Sequence, residues 1–571
     1  MAVNKENSVK SWCARAFLPS AFVILTLVIF FKNAWLSEDA FIIFRSIEQL
    51  FAGNGPVWNP HERVQVYTSP LWYWLLASFR CFSSNPWFYG IAPSAILLVA
   101  TVLVIFRHEK SRLIASAVVI ALMASNSFFD YTSAGLENCL GYFLFALLFY
   151  NVLHFSKNLS NTPWKCIKFC AICMGLLLTV RHDMVTLIWP LFLGILWALY
   201  FSEKRRYVPY YIAVVILPIT LWSIFSVVYY GKLLPNSVLA KINTGANIKD
   251  LMLQGVYYWR AIFFNDVLTG GVIVLGVVVG LLDNNVWLRV FAVGILSNAL
   301  CSVLVGGDYM QGRFLNYSYL LALLTVAQWV NSGMLYASRD YSWRVLFISK
   351  CVMLMTILGY VVCYSRTPLN SPFRPRVDAQ KVMTSFVKNY FVIDARWSAV
   401  AGNMNFMGYL DRGDSYVNPT DYSVTEATGF RVGPDDYAIR ADIGQFGYAV
   451  GIEKTIVDPL AIGDPFLSQF PAAYQWRAGH FFRVIPEGYV ESLKSGKNVL
   501  VDHGLSPLFD AVNLATRDPH LFSKARIKAI FRLNTGVFSY EIHHYMAGLP
   551  LDKKLSWAFY DVYPRNEGDP L

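Results

Sequence analysis

The chain has 571 residues, of which 56% are hydrophobic and 15% charged, and its mean hydropathy is +0.42. A soluble globular protein carries about 25% charged residues, so this composition excludes a disordered chain, a coiled coil and most soluble enzymes. The formal charge of +11 forms no basic stripe on a polar domain of the kind nucleic acid needs; in a chain this apolar, Lys and Arg hold the orientation of membrane loops.

The first apolar run is Phe17 to Trp35, preceded by Lys5, Lys10 and Arg15. No small-residue cleavage site follows, so an uncleaved anchor is expected, with the basic N-terminus in the cytoplasm. Residues 36–86 then lie outside. Within them Ala40, Ile43, Phe44, Ile47, Leu50 and Phe51 recur at helical spacing, which predicts an amphipathic helix along the interface. Ser37 is placed to cap it. Glu38 and Asp39 fall in or beside its first turn, where the helix dipole keeps a carboxylate ionised. Leu71 to Phe82 is also apolar but, at twelve residues, is short for a crossing and reads as a juxtamembrane or re-entrant helix.

Ten further apolar runs follow, at roughly 87–106, 113–129, 137–155, 166–180, 185–201, 208–230, 268–283, 287–305, 314–332 and 345–364. With these eleven spans the basic loops 107–112, 156–168 and 202–207 are all cytoplasmic; a twelfth span at 71–82 would expel Arg107, Lys110 and Arg112 and also Lys204, Arg205 and Arg206. The positive-inside rule therefore selects eleven. Residues 1–364 then form a transmembrane unit with amphipathic juxtamembrane helices in 36–86, and residues 365–571 a soluble unit outside, long enough for one core. Cys166, Cys170 and Cys173 lie in an apolar helical run with no nearby His, so packing is the reading rather than metal. All nine cysteines precede Tyr364, which leaves the tail without disulfides or thiolate metal sites. In that tail Thr455-Ile456-Val457 and Val499-Leu500-Val501 predict strands, 378–393 predicts a helix, and turn signals such as Val432-Gly433-Pro434 separate them. The expected fold is a polytopic α-helical membrane protein with a C-terminal α/β or α+β domain.

Under this topology the outer loops carry Ser37-Glu38-Asp39, Asp130 to Glu137, Arg181-His182-Asp183, the 231–265 loop and Gly306 to Arg313. Ionisable groups at span ends are costly unless they pair, face water or serve function, so these loops point to one site at the outer membrane surface. Two readings stand for several residues. Glu38 and Asp39 either cap the helix or accept a proton or hold a cation. Asp308, on a loop whose glycines let backbone approach a ligand, either serves the site or only pairs with Arg313. Glu137 either binds substrate or caps the span starting at Leu136, and His182 is either a site residue or an ordinary hydrogen-bonded loop histidine.

The runs Glu38-Asp39-Ala40-Phe41-Ile42-Ile43-Phe44-Arg45, Gly53-Asn54-Gly55-Pro56-Val57-Trp58-Asn59-Pro60 and Tyr67-Thr68-Ser69-Pro70-Leu71-Trp72 resemble the GT-C glycosyltransferases. The likeness is to the mycobacterial terminal β-1,2 arabinofuranosyltransferase family and its Gram-negative relatives. It continues through Thr132 to Asn138, Arg181-His182-Asp183, Tyr230 to Asn236 and Gly306 to Phe314, and into the tail at Asp458 to Asp464 and Trp476 to His480. Two departures stand out: Glu38-Asp39 replaces the family's frequent Asp-Asp, and His182 replaces a frequent Pro.

The resemblance implies a GT-C fold, a polyprenyl-phosphate sugar donor entering from the bilayer, and a cell-envelope glycan or glycoprotein acceptor on the periplasmic side of the bacterial inner membrane. The sugar it implies is a pentose, D-arabinofuranose first. Such transfer needs a carboxylate near the acceptor hydroxyl and cations near the departing phosphate. Asp39 is the candidate catalytic carboxylate. Arg45, Arg181, Lys241 and Arg313 are candidate phosphate or sugar contacts, and Glu38, Glu137, Asp183, Asn236 and Asp308 complete the substrate-binding set. No Walker loop or Rossmann fingerprint occurs, and two adjacent acids are poor support for a metal, so no cofactor or metal is assigned. The alternatives are a lipid or solute transporter, which would place polar residues and paired broken helices at mid-membrane, and a non-catalytic envelope or motility scaffold.

Overall fold

The computed structural model describes residues 2–155, 161–242, 246–337, 422–441, 443–477 and 480–550, with 368, 406 and 410 as isolated positions. The membrane part comprises α1 (Ala2–Asn33), α2 (Glu38–Phe51), α3 (Pro70–Arg80), α4 (Pro86–His108), α5 (Arg112–Ala124), α6 (Asn126–Phe129), α7 (Asn138–Leu153), α8 (Trp164–Val180), α9 (Val185–Tyr200), α10 (Val208–Tyr230), α11 (Asn236–Ile242), α12 (Ile248–Asn265), α13 (Val267–Leu282), α14 (Val286–Leu304) and α15 (Asn316–Ala337). Ten of the eleven expected apolar runs are helices here, and the eleventh, 345–364, lies outside the described residues. The apolar stretch at 71–82 is the eleven-residue α3. By length and apolarity, four helical stretches among the described residues suffice to cross a membrane: Pro86–His108, His182–Tyr200, Arg205–Tyr230 and Val286–Leu304. A fifth is counted if α12 and α13, bent by 110° at their junction, are one span.

Local signals set the helix ends. Ser37 accepts from the Ala40 amide at 3.2 Å, the expected cap of α2. Asn85 caps α4 ahead of Pro86, whose missing N–H costs nothing at a first helical position. The bend between α12 and α13 falls at buried Asp266, whose carboxylate accepts from the Ser127 amide, the Ser127 hydroxyl and the Thr269 hydroxyl, each at 2.7 Å. The 231–265 segment, expected as a loop, is thus mostly helical.

The helices pack in neighbouring pairs, α8 on α10, α9 on α14, α13 on α15 and α4 on α7. Their core is continuous with Ala427, Ala438, Ile443, Phe446, Val450 and Ile456 of the C-terminal segment. Residues from Val457 to Ile542 form a second cluster joined by Ala240 of α11. Among the described residues the two cores divide near residue 457; the expected 364/365 boundary lies outside the described residues.

Among the described residues, the C-terminal part consists of helices, irregular segments and two small ladders. β1 (Tyr437–Ile439) and β2 (Thr455–Val457) are parallel, pairing Ala438 with Ile456. β3 (Tyr474–Arg477) and β4 (His480–Phe482) are antiparallel, with a register shift between Gln475 and Arg477. The strand expected at Thr455-Ile456-Val457 is β2. Val499-Leu500-Val501 is irregular, because its backbone turns to follow the helix Tyr489–Ser495: Val501 donates to the Glu487 carbonyl and Val499 to the Ser492 hydroxyl. The helix expected at 378–393 lies outside the described residues.

Candidate functional site

α2 starts where the chain leaves α1 and meets the loop before α7. The Ser37 amide donates to the Ala134 carbonyl at 2.9 Å, and the Trp35 indole donates to the Asp130 carbonyl at 2.6 Å. These bonds fix the first turn of α2, and with it two consecutive carboxylates that leave the helix in different directions.

Asp39 points to the loop between α14 and α15. Its Oδ2 accepts from Arg313 Nη1 at 2.6 Å, and the same guanidinium lies 3.6 Å from Asp308. The Asp39 side chain is 30% exposed and that of Arg313 12%, so the acid end is open and the base is held from behind. Burial pushes the Asp39 carboxyl up, but Arg313, Lys241 and His480 outweigh it and hold the group below its ordinary range. Burial likewise pulls Arg313 down, and Asp39 and Asp308 more than reverse it.

A second arginine stands beside this pair. Arg181, at the end of α8, donates two bonds to Asp183 at 2.9 and 2.8 Å and one to Glu137 at 3.1 Å. Its guanidinium also lies 5.5 Å from the centre of the Phe314 ring. The two arginines sense one another's fields. Asp39, Glu137, Arg181, Asp183, Lys241, Asp308 and Arg313 therefore form one electrostatic cluster, drawn from five separate stretches of chain.

Three expected members do not join it. Arg45 is fully enclosed: Nε donates to the Trp58 carbonyl at 3.0 Å, Nη2 to Lys454 at 2.6 Å, and Nη1 to the carbonyls of Gly447 and Gly451. Glu38 faces the C-terminal segment and accepts from the amides of Gly444 and Gln445 at 2.7 and 3.0 Å. Asn236 donates to the carbonyls of Ala461, Ile462 and Asp464. These contacts also change the picture of α2. Its polar side is largely closed to water: Arg45, Ser46 and Gln49 are buried, Arg45 and Gln49 by bonding to carbonyls of residues 447–454.

Other expectations resolve in detail. Asp308 both pairs with Arg313 and accepts from the Met310 amide at 3.2 Å. Glu137 occupies the capping position of α7 but makes no side-chain cap, its carboxylate going to Arg181 instead. Gly307 has φ +66°, and a Cβ there would strike the Tyr258 ring at 2.5 Å, so this glycine admits α12 rather than a ligand. The buried Nδ1 of His182 has no hydrogen-bond partner among the described residues. Cys170 and Cys173 are buried in α8 with free thiols.

Four further residues border the cluster. His480 of β4 meets the Tyr309 ring edge-on at 4.7 Å and acts on Asp39. Its motif was recognisable in sequence, but nothing local placed it near α2. Asn138 and Asn316, both fully buried at the starts of α7 and α15, have amides without hydrogen-bond partners among the described residues, as does the Tyr317 hydroxyl. Buried polar groups are nearly always paired, so three unpaired ones beside Glu137 and near Arg313 in sequence mark a floor that can take hydroxyl or water. Asn316 stands three residues after Arg313, which is the only sequence signal for it.

The fold and site thus define a many-helix membrane protein with a carboxylate–guanidinium cluster where several helix ends meet. No family model matches the chain. It is 30% identical over 247 residues to a terminal β-(1→2)-arabinofuranosyltransferase of Mycobacterium tuberculosis, covering 40% of this chain and 37% of that protein. It is 23% identical over 331 residues to the protein of the same name from Corynebacterium glutamicum, covering 51% and 48%. The chain therefore spans half or less of the length of these curated relatives. They support the GT-C glycosyltransferase resemblance read from the motifs. Crystal structures of ArnT from Cupriavidus metallidurans also align: bound to undecaprenyl phosphate at TM-score 0.46, 12% identity, over 78% of this chain and 87% of that one, and in the apo state at 0.44, 13%, over 80% and 88%. An overlay this loose assigns no chemistry to the chain.

Proposed function

We propose that the chain is a membrane glycosyltransferase of the GT-C type that moves a pentose, D-arabinofuranose first, from a polyprenyl phosphate to a cell-envelope glycan or glycoprotein. The transfer takes place on the periplasmic face of the inner membrane, where the 365–571 unit also lies. The observation that carries this is the Asp39–Arg313 pair: a partly open carboxylate in the first turn of α2, held by Arg313 at 2.6 Å. In the reaction, Asp39 takes the proton of the acceptor hydroxyl as that oxygen bonds to the anomeric carbon. The bond from that carbon to the phosphate oxygen breaks, and its electrons leave with the polyprenyl phosphate. Arg313, Arg181 and Lys241 stabilise the charge growing on the phosphate, with Arg able to grip two oxygens at once. Glu137, Asp183 and Asp308 hold those arginines, and sugar hydroxyls contact the same polar floor. Glu38, Arg45 and Asn236 serve substrate only by fixing the C-terminal segment over α2.

Purified chain is assayed with synthetic polyprenyl-phosphoryl arabinofuranose and candidate acceptors, read by mass spectrometry. Wild type should transfer the pentose and Asp39→Asn should be slower by ~10²-fold or more; equal turnover removes Asp39 from the mechanism. One observation favours a second reading. The 110° break between α12 and α13, with buried Asp266 at the bend, is a feature transporters use. Uptake of the lipid-linked sugar into vesicles without any transfer would favour that reading.

A further inference from the structure

The C-terminal helix Lys524–Asn534 lies across the end of α10. Arg526, itself buried, donates to the Val228 carbonyl at 2.8 Å and to Tyr229 at 2.9 Å, while Asn534 donates to Gly231 at 2.8 Å. These carbonyls are the unsatisfied end of α10, which closes on Gly231 in the left-handed region at φ +77°. A Cβ on Gly231 would meet Ile530 at 3.1 Å, so the two helices touch directly there.

With Arg526, Ala529 and Ile530 turned inward, the opposite face is left open. It carries Lys524, Ile527, Lys528 and Phe531 at i, i+3, i+4 and i+7, with Ile527 53% and Phe531 66% exposed. Phe522, just before the helix, is 75% exposed. The helix has three basic residues besides Arg526 and no acid. α10 itself exposes Leu217, Leu221 and Ile224, and Leu233 follows at its end. A basic amphipathic helix with an open apolar face is therefore seated on the end of a membrane-crossing helix whose flank is also apolar and exposed.

We infer that helix Lys524–Asn534 is a membrane-interface anchor at the Gly231 end of α10: Phe522, Ile527 and Phe531 enter the acyl boundary and Lys524 and Lys528 meet anionic headgroups. Its seat on the end of a membrane-crossing helix selects a bilayer over a protein partner, and the absence of acid selects anionic lipid. The anchor ties the C-terminal segment to the lipid surface independently of α2. It does not depend on the reaction proposed above.

The test places a nitroxide at Phe531→Cys in the full chain, with the signal of the unsubstituted chain subtracted. Leu221→Cys on α10 and Lys494→Cys on an exposed C-terminal helix serve as lipid and water references. In nanodiscs containing phosphatidylglycerol, the label at 531 should be open to oxygen and shielded from an aqueous nickel chelate, as at 221. Behaviour like that at 494 overturns the proposal. So does a label shielded from both reagents, which would mean that a second copy or another protein covers the face. Lys524→Glu with Lys528→Glu should lower enrichment of phosphatidylglycerol around the protein by about fivefold per charge; unchanged enrichment overturns the headgroup assignment.

Discussion

Two sets of buried arginines hold this molecule together in opposite ways. Around Asp39, Arg181 and Arg313 face carboxylates, and those partners raise both guanidiniums above their ordinary range against the pull of burial. Under the C-terminal segment, Arg45 and Arg483 face backbone carbonyls. Burial pulls Arg45 down to about 9, and pulls Arg483 to about 10 although Asp458 acts partly against it. Charge-assisted pairs that remain partly open can exchange a carboxylate for a phosphate. A guanidinium caged by carbonyls has nothing to exchange and acts as a staple. Burial and charge alone do not separate a site arginine from a structural one; the identity of the acceptors does.

The sharpest way to break this contrast is Arg45→Ala. It strands the carbonyls of Trp58, Gly447, Gly451 and Lys454 and should cost about 3 kcal/mol or more, visible as loss of folded, extractable protein. If Arg45→Ala folds normally but loses turnover, Arg45 belongs with the site group instead. Asp39→Asn should give the reverse pattern, intact folding with turnover down ~10²-fold. Next in size is Arg313→Gln. With its main cation gone, burial pushes the Asp39 carboxyl upward. A base works only when ionised, so the acid limb of the pH–rate profile, expected below the usual carboxylate range in wild type, should move to higher pH. A limb that stays put means the titrating group is not Asp39. The smallest effects are expected from Asn138→Ala and Asn316→Ala. Their amides make no bonds within the described protein, so stability should change by about 1 kcal/mol or less while KM rises severalfold. A large drop in melting temperature with unchanged KM would mean that they are structural.

Much of this was legible along the chain. Hydrophobic period and length mark most helices up to residue 337 but neither α11 and α12 nor the C-terminal helices; Ser37 announces the start of α2, and the ordered motifs carry the resemblance to arabinofuranosyltransferases. Asp39, Arg181, Asp183, Asp308 and Arg313 could be nominated because acids and bases at span ends are expensive and rarely idle. The break at Asp266, the covering of α2 and the division of the cores near residue 457 could not be read in this way.

The sequence by itself determined which long apolar stretches are helical and which charged residues lie at their ends, because both follow from local period, capping chemistry and the cost of charge in lipid. Only the tertiary structure decided which arginines meet carboxylates and which meet carbonyls. Arg45 and Gly447 are 402 positions apart and Asp39 and Arg313 are 274 apart. Partners at such separations are chosen by how helices pack, on which a residue's immediate neighbours carry no information.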